Sequence, residues 1–139
     1  MRAYRALIVD DHEGFRQFLR RALEEQTHCQ VIGEVSDGLE AVRKAEELHP
    51  DLILLDLGLP GLNGMEAARR IGKRCPESKI LFVTQDTSSD VVEGAIRMGA
   101  CGYLLKSDAV ELSRAVDEVL HGRRFISSSL NGKIGPGPE

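Results

Sequence analysis

Residues 51–57, DLILLDL, form the most apolar run of the chain and contain two aspartates. A short and nearly continuous apolar run of this kind is typical of a strand that is buried on both faces of a parallel sheet. We therefore predict a central strand here. Asp56 stands at its carboxyl end, and the glycine-rich loop GLPGLNG follows at residues 58–64.

Similar apolar runs recur on both sides of this stretch and alternate with segments whose apolar residues follow helical spacing. The five predicted strands cover residues 5–9, 30–35, 51–57, 79–84 and 101–105. A helix is predicted after each strand, and the third and fourth helices cover residues 65–73 and 88–98. Strict alternation with short connections predicts an α/β fold, a doubly wound parallel sheet with helices on both faces. The second strand alternates only partly and contains a glycine, so we place it at an edge.

Local signals mark the ends of several elements. Asp37 with Glu40, and Asp108 with Glu111, are predicted to be capping pairs that begin the second and fifth helices. After Arg124 the sequence becomes rich in Ser, Gly and Pro and loses its periodicity. We therefore predict one domain over residues 1–122, followed at residues 123–139 by a flexible linker or an expression remnant.

Composition limits the functions that this chain can serve. Its 139 residues suffice for one domain, and a net charge of −4 argues against direct nucleic-acid binding. The cysteines Cys29, Cys75 and Cys101 are far apart, which predicts reduced thiols of a cytoplasmic protein rather than disulfides or a zinc site. The first apolar run, residues 6–9, is too short for a signal peptide or a membrane span.

Polar residues follow four of the predicted strands at their carboxyl ends. They are Asp10 and Asp11 after the first strand, Asp56 after the third, Thr84 at the end of the fourth and Lys106 after the fifth. Ligands of open parallel sheets bind beyond the carboxyl ends of the strands. We therefore expect these five side chains to share one site.

The chemistry of such a site is restricted by its three acids. Neighbouring carboxylates repel one another, and a divalent cation removes the conflict. Mg²⁺ prefers oxygen ligands and commonly binds one or two carboxylates together with phosphate oxygens, so the acids indicate Mg²⁺ and a phosphoryl substrate. Asp56 can then act as the nucleophile that forms an aspartyl phosphate. Lys106 can neutralise phosphoryl oxygens, and Thr84 can donate a hydrogen bond to one of them.

Each of these residues also has an ordinary structural explanation. Asp10 and Asp11 can cap the first helix, where acids suit the helix dipole. Asp56 can be a turn residue before a glycine, and Thr84 can be an ordinary strand residue. Lys106 can be a solvated loop lysine. These separate explanations would all have to hold at once, and at matching strand ends. One shared site accounts for the whole pattern with a single cause, so we favour it.

The stretches LIVDDHEGFR, DLILLDLGLPGLNGMEAARRI, KILFVTQD and GACGYLLKSDAVEL together resemble the receiver domain of bacterial two-component response regulators. The similarity runs from residue 5 to about residue 121. GLPGLNG, GYLLKSD and GRRFISSSL are most similar to the NarL/FixJ type. The resemblance implies a flavodoxin-like sheet of five parallel strands in the order 2-1-3-4-5, with five helices.

The resemblance also implies roles for the residues that match. Asp56 would be the phosphoacceptor. Asp11 and Asp56, with the backbone carbonyl of Gly58, would bind Mg²⁺ directly, and Asp10 would reach the ion through water. Lys106 would pair with the phosphoryl group.

Two further residues would respond to phosphorylation. Thr84 would move toward the phosphoryl group, and Tyr103 matches the aromatic position that turns inward when Thr84 moves. The ordinary explanation for Tyr103 is a half-buried strand tyrosine with a solvated hydroxyl. Gly58 and Asp86 flank the site and would tune the lifetime of the phosphoryl group.

At the level of the whole protein, the resemblance implies a cytoplasmic domain that takes its phosphoryl group from a sensor histidine kinase or a small phosphodonor. It would catalyse only its own Mg²⁺-dependent phosphorylation and dephosphorylation, and would then change dimerisation or transcriptional output. Regulators of this type bind DNA through a LuxR-type helix-turn-helix, which has no counterpart in this sequence, so both a truncated chain and a stand-alone receiver are open. No membrane partner is expected. Ser107 stands where the family often has proline, which leaves the isomer of the Lys106–Ser107 peptide open.

Three other functions share part of this pattern. A Mg²⁺-dependent phosphatase of the haloacid dehalogenase type needs an acid two residues after its nucleophile, where this chain has Gly58. A receiver that has lost phosphorylation would act by docking alone, and the complete set of site residues argues against it. A flavodoxin-like cofactor site would need a Ser/Thr-rich phosphate loop, and Asp10 and Asp11 would repel a phosphate there.

Overall fold

Strands and helices alternate through residues 2–130, the part of the chain that this computed structural model describes. The strands are β1 (Tyr4–Val9), β2 (Cys29–Val35), β3 (Leu52–Leu55), β4 (Lys79–Thr84), β5 (Gly102–Leu105) and β6 (Phe125–Ile126). The α-helices are α1 (Glu13–Gln26), α2 (Gly38–Leu48), α3 (Gly64–Arg74), α4 (Ser89–Arg97) and α5 (Leu112–Leu120). Two short 3₁₀ helices follow β5 and β6, at Lys106–Glu111 and Ser128–Leu130.

All neighbouring strands pair in parallel, in the order β2-β1-β3-β4-β5-β6. β3 therefore lies inside the sheet and β2 at one edge, which confirms both predictions. Successive strand residues point to opposite faces. Leu55 packs with apolar residues of α2, α3 and α4, whereas Leu54 packs with those of α1 and α5. This two-sided core is the predicted doubly wound, flavodoxin-like α/β arrangement.

The prediction of a five-stranded sheet is wrong, because β6 pairs in parallel with β5 as a sixth strand. This strand falls inside the segment 123–139, for which a linker or an expression remnant was expected. Phe125 is 3% exposed and Leu130 is 1% exposed, so the chain after α5 contributes to the core. A strand of two residues is too short to show alternation in the sequence. Residues 131–139 of the expected linker lie outside the described residues.

The two predicted capping pairs have different outcomes. The Asp37 carboxylate accepts a hydrogen bond from the Glu40 N–H at 2.8 Å and caps α2 as predicted. The prediction for Asp108 and Glu111 is wrong, because this stretch forms a 3₁₀ helix and α5 begins only after it. The Asp108 carboxylate instead accepts a hydrogen bond from the Ser127 hydroxyl, so a partner distant in sequence displaces the local cap.

The cysteines are free thiols, and two of them, Cys29 and Cys75, are buried as predicted. Burial raises the pKa of both thiols, which favours their neutral form. Within residues 2–130, no helix combines the length and the apolar character needed to cross a bilayer.

Candidate functional site

The register of the sheet places the ends of four strands side by side. The last residues of β1 and β3 are paired, so Asp10 and Asp56, which follow them, are neighbours at the sheet edge. The last residues of β4 and β5, Thr84 and Leu105, are also paired, so Lys106, the next residue, lies at the same edge of the sheet. A cavity of about 410 Å³ opens at this edge. It is lined by Asp11, Asp56, Gly58, Thr84 and Lys106, together with His12, Leu57, Gln85 and Asp86.

The loop between β3 and α3 approaches Asp56 closely because α3 begins with a glycine. A Cβ atom on Gly64 would lie 2.2 Å from the Asp56 carbonyl oxygen, so no larger residue fits without a backbone shift. The Gly64 N–H donates to the Leu57 carbonyl at 2.9 Å. Asn63 caps α3 by accepting a hydrogen bond from the Glu66 N–H at 2.9 Å. The glycine-rich loop at residues 58–64 therefore holds Asp56 at the tip of its strand.

Lys106 forms the electrostatic centre of the site. Its Nζ lies 2.7 Å from Asp10 Oδ2 and 3.3 Å from Asp56 Oδ2. The three side chains are only 9%, 1% and 8% exposed, in the order Lys106, Asp10, Asp56. Burial by itself lowers the pKa of Lys106, but the two adjacent carboxylates outweigh it and raise that pKa above the ordinary value. The ammonium is therefore charged at neutral pH.

The donor set and its charge fit a hard divalent cation. The carboxyl groups of Asp10, Asp11 and Asp56 outnumber the single ammonium of Lys106 at this edge. Asp10 Oδ2 is buried and, among residues 2–130, has only this ion pair and no aligned hydrogen-bond donor. Ligand atoms of Asp10, Asp11 and His12 lie within 4.8 Å of one another. Oxygen-rich sites of this kind bind Mg²⁺ or Ca²⁺.

Thr84 and Tyr103 meet at the backbone of Asp86. Thr84 is 3% exposed, and its hydroxyl oxygen accepts a hydrogen bond from the Asp86 N–H at 3.3 Å. Tyr103 is completely buried, and its hydroxyl donates to the Asp86 carbonyl at 2.7 Å. Burial first, and the carboxylates of Asp86 and Asp56 second, raise the pKa of Tyr103 and keep it neutral. The ordinary explanation, a half-buried tyrosine with a solvated hydroxyl, is therefore wrong for this structure.

The contacts of the remaining site residues test their ordinary structural explanations. Neither Asp10 nor Asp11 caps α1, because the N-cap residue is His12 and Asp10 Oδ1 accepts the His12 N–H at 2.8 Å. Lys106 is not a solvated loop lysine. Asp56 Oδ1 does accept a weak turn bond from the Gly58 N–H at 3.4 Å, while its other oxygen faces Lys106. No peptide bond within residues 2–130 is cis, so the bond after Lys106 is trans.

Sequence reasoning missed three residues that contribute to this site. His12 lines the cavity, and its Nδ1 lies 3.5 Å from Asp11 Oδ1. The Phe15 ring packs against the Lys106 ammonium, with 4.6 Å between Nζ and the ring centroid. The hydroxyl of Ser127 binds the backbone beside Lys106. The position of Phe15 one turn after the acid pair could have indicated its role, but no local pattern predicts that of Ser127.

Comparison with known proteins identifies relatives of this arrangement. The sequence profile described as "Response regulator receiver domain" matches residues 6–117. "Transcriptional regulatory protein LiaR" of Bacillus subtilis (strain 168) is 42% identical over 131 residues, which cover 94% of this chain and 62% of LiaR. "Response regulator UvrY" of Escherichia coli (strain K12) is 37% identical over 125 residues, which cover 89% of this chain and 57% of UvrY.

A solved structure agrees with these sequence matches. The crystal structure of a two-component response regulator of the LuxR family from Aurantimonas sp. SI85-9A1 has a TM-score of 0.90 and 37% sequence identity, and the match covers 95% of each chain. The resemblance to regulators of this branch is thereby confirmed. The chain spans about three-fifths of the length of the curated relatives that it matches. The chain belongs to the response regulator receiver domain family.

Proposed function

We propose that this domain accepts a phosphoryl group on Asp56 from a phosphohistidine of a sensor histidine kinase, and that the modified domain changes the output of a transcriptional regulator. One observation supports this assignment above all. The Asp56 carboxylate lines a cavity that it shares with Asp11 and Thr84, and one of its oxygens lies 3.3 Å from the Lys106 ammonium. A carboxylate so placed can attack phosphorus while a fixed cation faces the incoming charge.

The proposed Mg²⁺ ligands are the carboxylates of Asp11 and Asp56 and the backbone carbonyl of Gly58, with Asp10 bound through water. The excess of carboxyl groups over the one ammonium at the site supports this proposal. When bound, the ion supplies positive charge to the phosphoryl oxygens. Lys106 would contribute further positive charge at Asp56, where its Nζ is held between two carboxylates.

In the proposed transfer step, an Asp56 carboxylate oxygen attacks the phosphorus of the phosphohistidine. The new O–P bond forms as the N–P bond breaks, and the electron pair of that bond stays on the imidazole nitrogen. Hydrolysis later returns the Asp56 carboxylate and inorganic phosphate. The domain thus catalyses only its own phosphorylation and dephosphorylation.

The proposed response runs through Thr84 and Tyr103. Phosphorylation replaces the single negative charge of the Asp56 carboxylate with a phosphoryl group of about 1.5–2 negative charges, and places three acceptor oxygens beside the Thr84 hydroxyl. A turn of the Thr84 side chain toward a phosphoryl oxygen would carry its hydroxyl away from the Asp86 N–H, and so release a backbone segment whose carbonyl also binds the Tyr103 hydroxyl. The surface formed by α4, β5 and α5 would shift as a consequence. A homodimer, or the DNA-binding part of a longer regulator, would respond to that shift.

Intact-mass spectrometry tests the transfer. After incubation with acetyl phosphate and Mg²⁺, the wild-type chain should gain the mass of one phosphoryl group, and Asp56→Asn should not. Asp90→Asn, which changes an exposed aspartate of α4, is the matched control and should behave as wild type. Rapid modification of Asp56→Asn would contradict the assignment.

Sedimentation velocity tests the response. Beryllofluoride with Mg²⁺ occupies the place of a phosphoryl group on a carboxylate, and should change the dimer fraction of the wild-type chain. The same treatment should leave Asp56→Asn unchanged. An equal change in both chains would show that the effect does not involve Asp56.

A further inference from the structure

Ser127 is a buried hydroxyl residue outside the cavity that binds the backbone before Lys106 and a side chain after it. The residue is 0% exposed. Its Oγ accepts a hydrogen bond from the Leu105 N–H at 3.1 Å and donates to the Asp108 carboxylate. One hydroxyl therefore links the end of β5, just before Lys106, to Asp108 in the 3₁₀ helix that begins at Lys106.

This contact continues the sheet beyond the end of β6. The Ser127 N–H donates to the Tyr103 carbonyl at 2.9 Å, which extends the pairing of β5 with β6. The next N–H of β5 that points toward β6 belongs to Leu105. Strand β6 ends at Ile126 and does not pair with it. The Ser127 hydroxyl takes that place, so the last N–H of β5 is satisfied by a side chain.

The position of Lys106 depends on this stretch of backbone. A lysine side chain has four flexible carbons, and its ammonium holds one position only when the backbone and the surroundings restrict it. The Phe15 ring restricts the ammonium from one side, at 4.6 Å from Nζ, and Asp10 restricts it from another. Ser127 restricts the backbone directly at the Leu105 N–H, and indirectly through the Asp108 carboxylate.

We propose that Ser127 is a positioning residue for phosphorylation, which acts by holding the Leu105 backbone before Lys106 and the Asp108 side chain after it. The inference rests on the proposed transfer to Asp56. It assigns a chemical role to the segment after α5, which would otherwise only cover the edge of the sheet. Ser129 offers a matched control, because its hydroxyl also donates to Asp108, at 2.8 Å, but it is exposed, and the Leu105 N–H donates to Ser127 instead.

The test compares Ser127→Ala with Ser129→Ala in the full chain, with two readouts. The first is the phosphorylation rate at saturating acetyl phosphate and Mg²⁺, followed by intact-mass spectrometry. The second is the Mg²⁺ dissociation constant, measured by isothermal titration calorimetry without a phosphodonor. A general loss of structure would lower both the phosphorylation rate and the Mg²⁺ affinity. A Lys106 ammonium that has left its position would slow phosphorylation, but it would repel a cation near Asp10 less, so Mg²⁺ affinity would not fall.

For Ser127→Ala we expect about a tenfold slower phosphorylation, below the roughly hundredfold loss that a misplacement of about 1 Å can cause. Mg²⁺ affinity should be unchanged or higher, and Ser129→Ala should stay within about twofold of wild type in both readouts. The proposal is overturned if Ser127→Ala keeps the wild-type rate, if the two variants slow equally, or if Mg²⁺ binding weakens in parallel with the rate.

Two further results keep the test decisive. If Ser127→Ala does not fold, Asp108→Ala replaces it, and a rate no slower than that of Ser129→Ala then overturns the proposal. If the wild-type chain itself takes no phosphoryl group, the proposed function fails. If the wild-type chain is modified and Ser127→Ala equals it, only the role of Ser127 fails.

Discussion

Replacement of Lys106 by methionine removes the ammonium that lies 2.7 Å from Asp10 and 3.3 Å from Asp56, and keeps most of the apolar length of the side chain. The two carboxylates then face each other without a counter-charge. Asp10 is 1% exposed, so solvent cannot screen it. Removal of one partner of a buried ion pair costs about 3–5 kcal/mol, because the remaining charge stays buried. We expect the free energy of unfolding to fall by about 3 kcal/mol, near the lower end of this range, because Asp56 borders an open cavity where solvent can reach it.

Mg²⁺ should reverse part of this loss. A ligand present at about 100 times its dissociation constant stabilises the folded state by about 2.7 kcal/mol. The variant should bind Mg²⁺ more tightly than wild type, because the competing ammonium is gone from Asp10. The stability difference between Lys106→Met and wild type should therefore narrow when Mg²⁺ is added.

Urea unfolding with and without Mg²⁺ measures both effects. For a slope of about 2 kcal/mol per molar urea, a loss of about 3 kcal/mol moves the midpoint by about 1.5 M. Lys44→Met is the matched control: Lys44 is 38% exposed and faces Glu47 at 3.6 Å. It should change stability by less than about 0.5 kcal/mol. Equal stability of Lys106→Met and wild type without Mg²⁺, or a difference that Mg²⁺ does not narrow, would refute the reasoning.

Three further predictions concern the scaffold. Gly64→Ala should lower the free energy of unfolding by at least about 2 kcal/mol, through the clash at the start of α3. The control Gly72→Ala, with nothing within 4 Å of its added methyl, should raise it by up to about 1 kcal/mol. Equal changes in urea unfolding would refute the close approach at Gly64. Tyr4→Phe leaves Tyr103 as the sole tyrosine, and because burial raises its pKa above the ordinary 10.0, folded protein should show no phenolate absorbance at that pH. The unfolded chain ionises first, so the contribution of Tyr103 to stability is complete below pH 10.0 and falls as the pH rises further; phenolate at pH 10.0 in folded protein would contradict this. Leu130→Ala should cost about 2–4 kcal/mol in urea unfolding, and a change below about 0.5 kcal/mol would show that the segment after α5 is not core.

Continuous apolar runs predicted most of the sheet, because strands that are buried on both faces have apolar residues at nearly every position. The run at residues 79–84 matches β4 to the residue, and the central run at 51–57 contains β3. Parallel alternation then brings the strand ends to one edge, so the neighbourhood of Asp10, Asp56, Thr84 and Lys106 follows from topology alone.

The errors lie where contacts distant in sequence decide the structure. Asp108 has the local pattern of a helix cap, but its carboxylate binds Ser127, which is 19 positions away. β6 is held by its pairing with β5 and by the burial of Phe125, and neither leaves a local pattern. The ammonium of Lys106 is paired with Asp10 as well as with Asp56, a contact that depends on the three-dimensional position of the side chain.

The identity of the modified residue tests the central claim most directly. Borohydride reduces an acyl phosphate on aspartate to homoserine, so peptide mapping after treatment with acetyl phosphate, Mg²⁺ and borohydride locates the phosphoryl group. We expect homoserine at position 56 of the wild-type chain, and no homoserine when Mg²⁺ is chelated beforehand. Homoserine at position 10, 11 or 86 in place of 56, or no homoserine at all, would contradict the account.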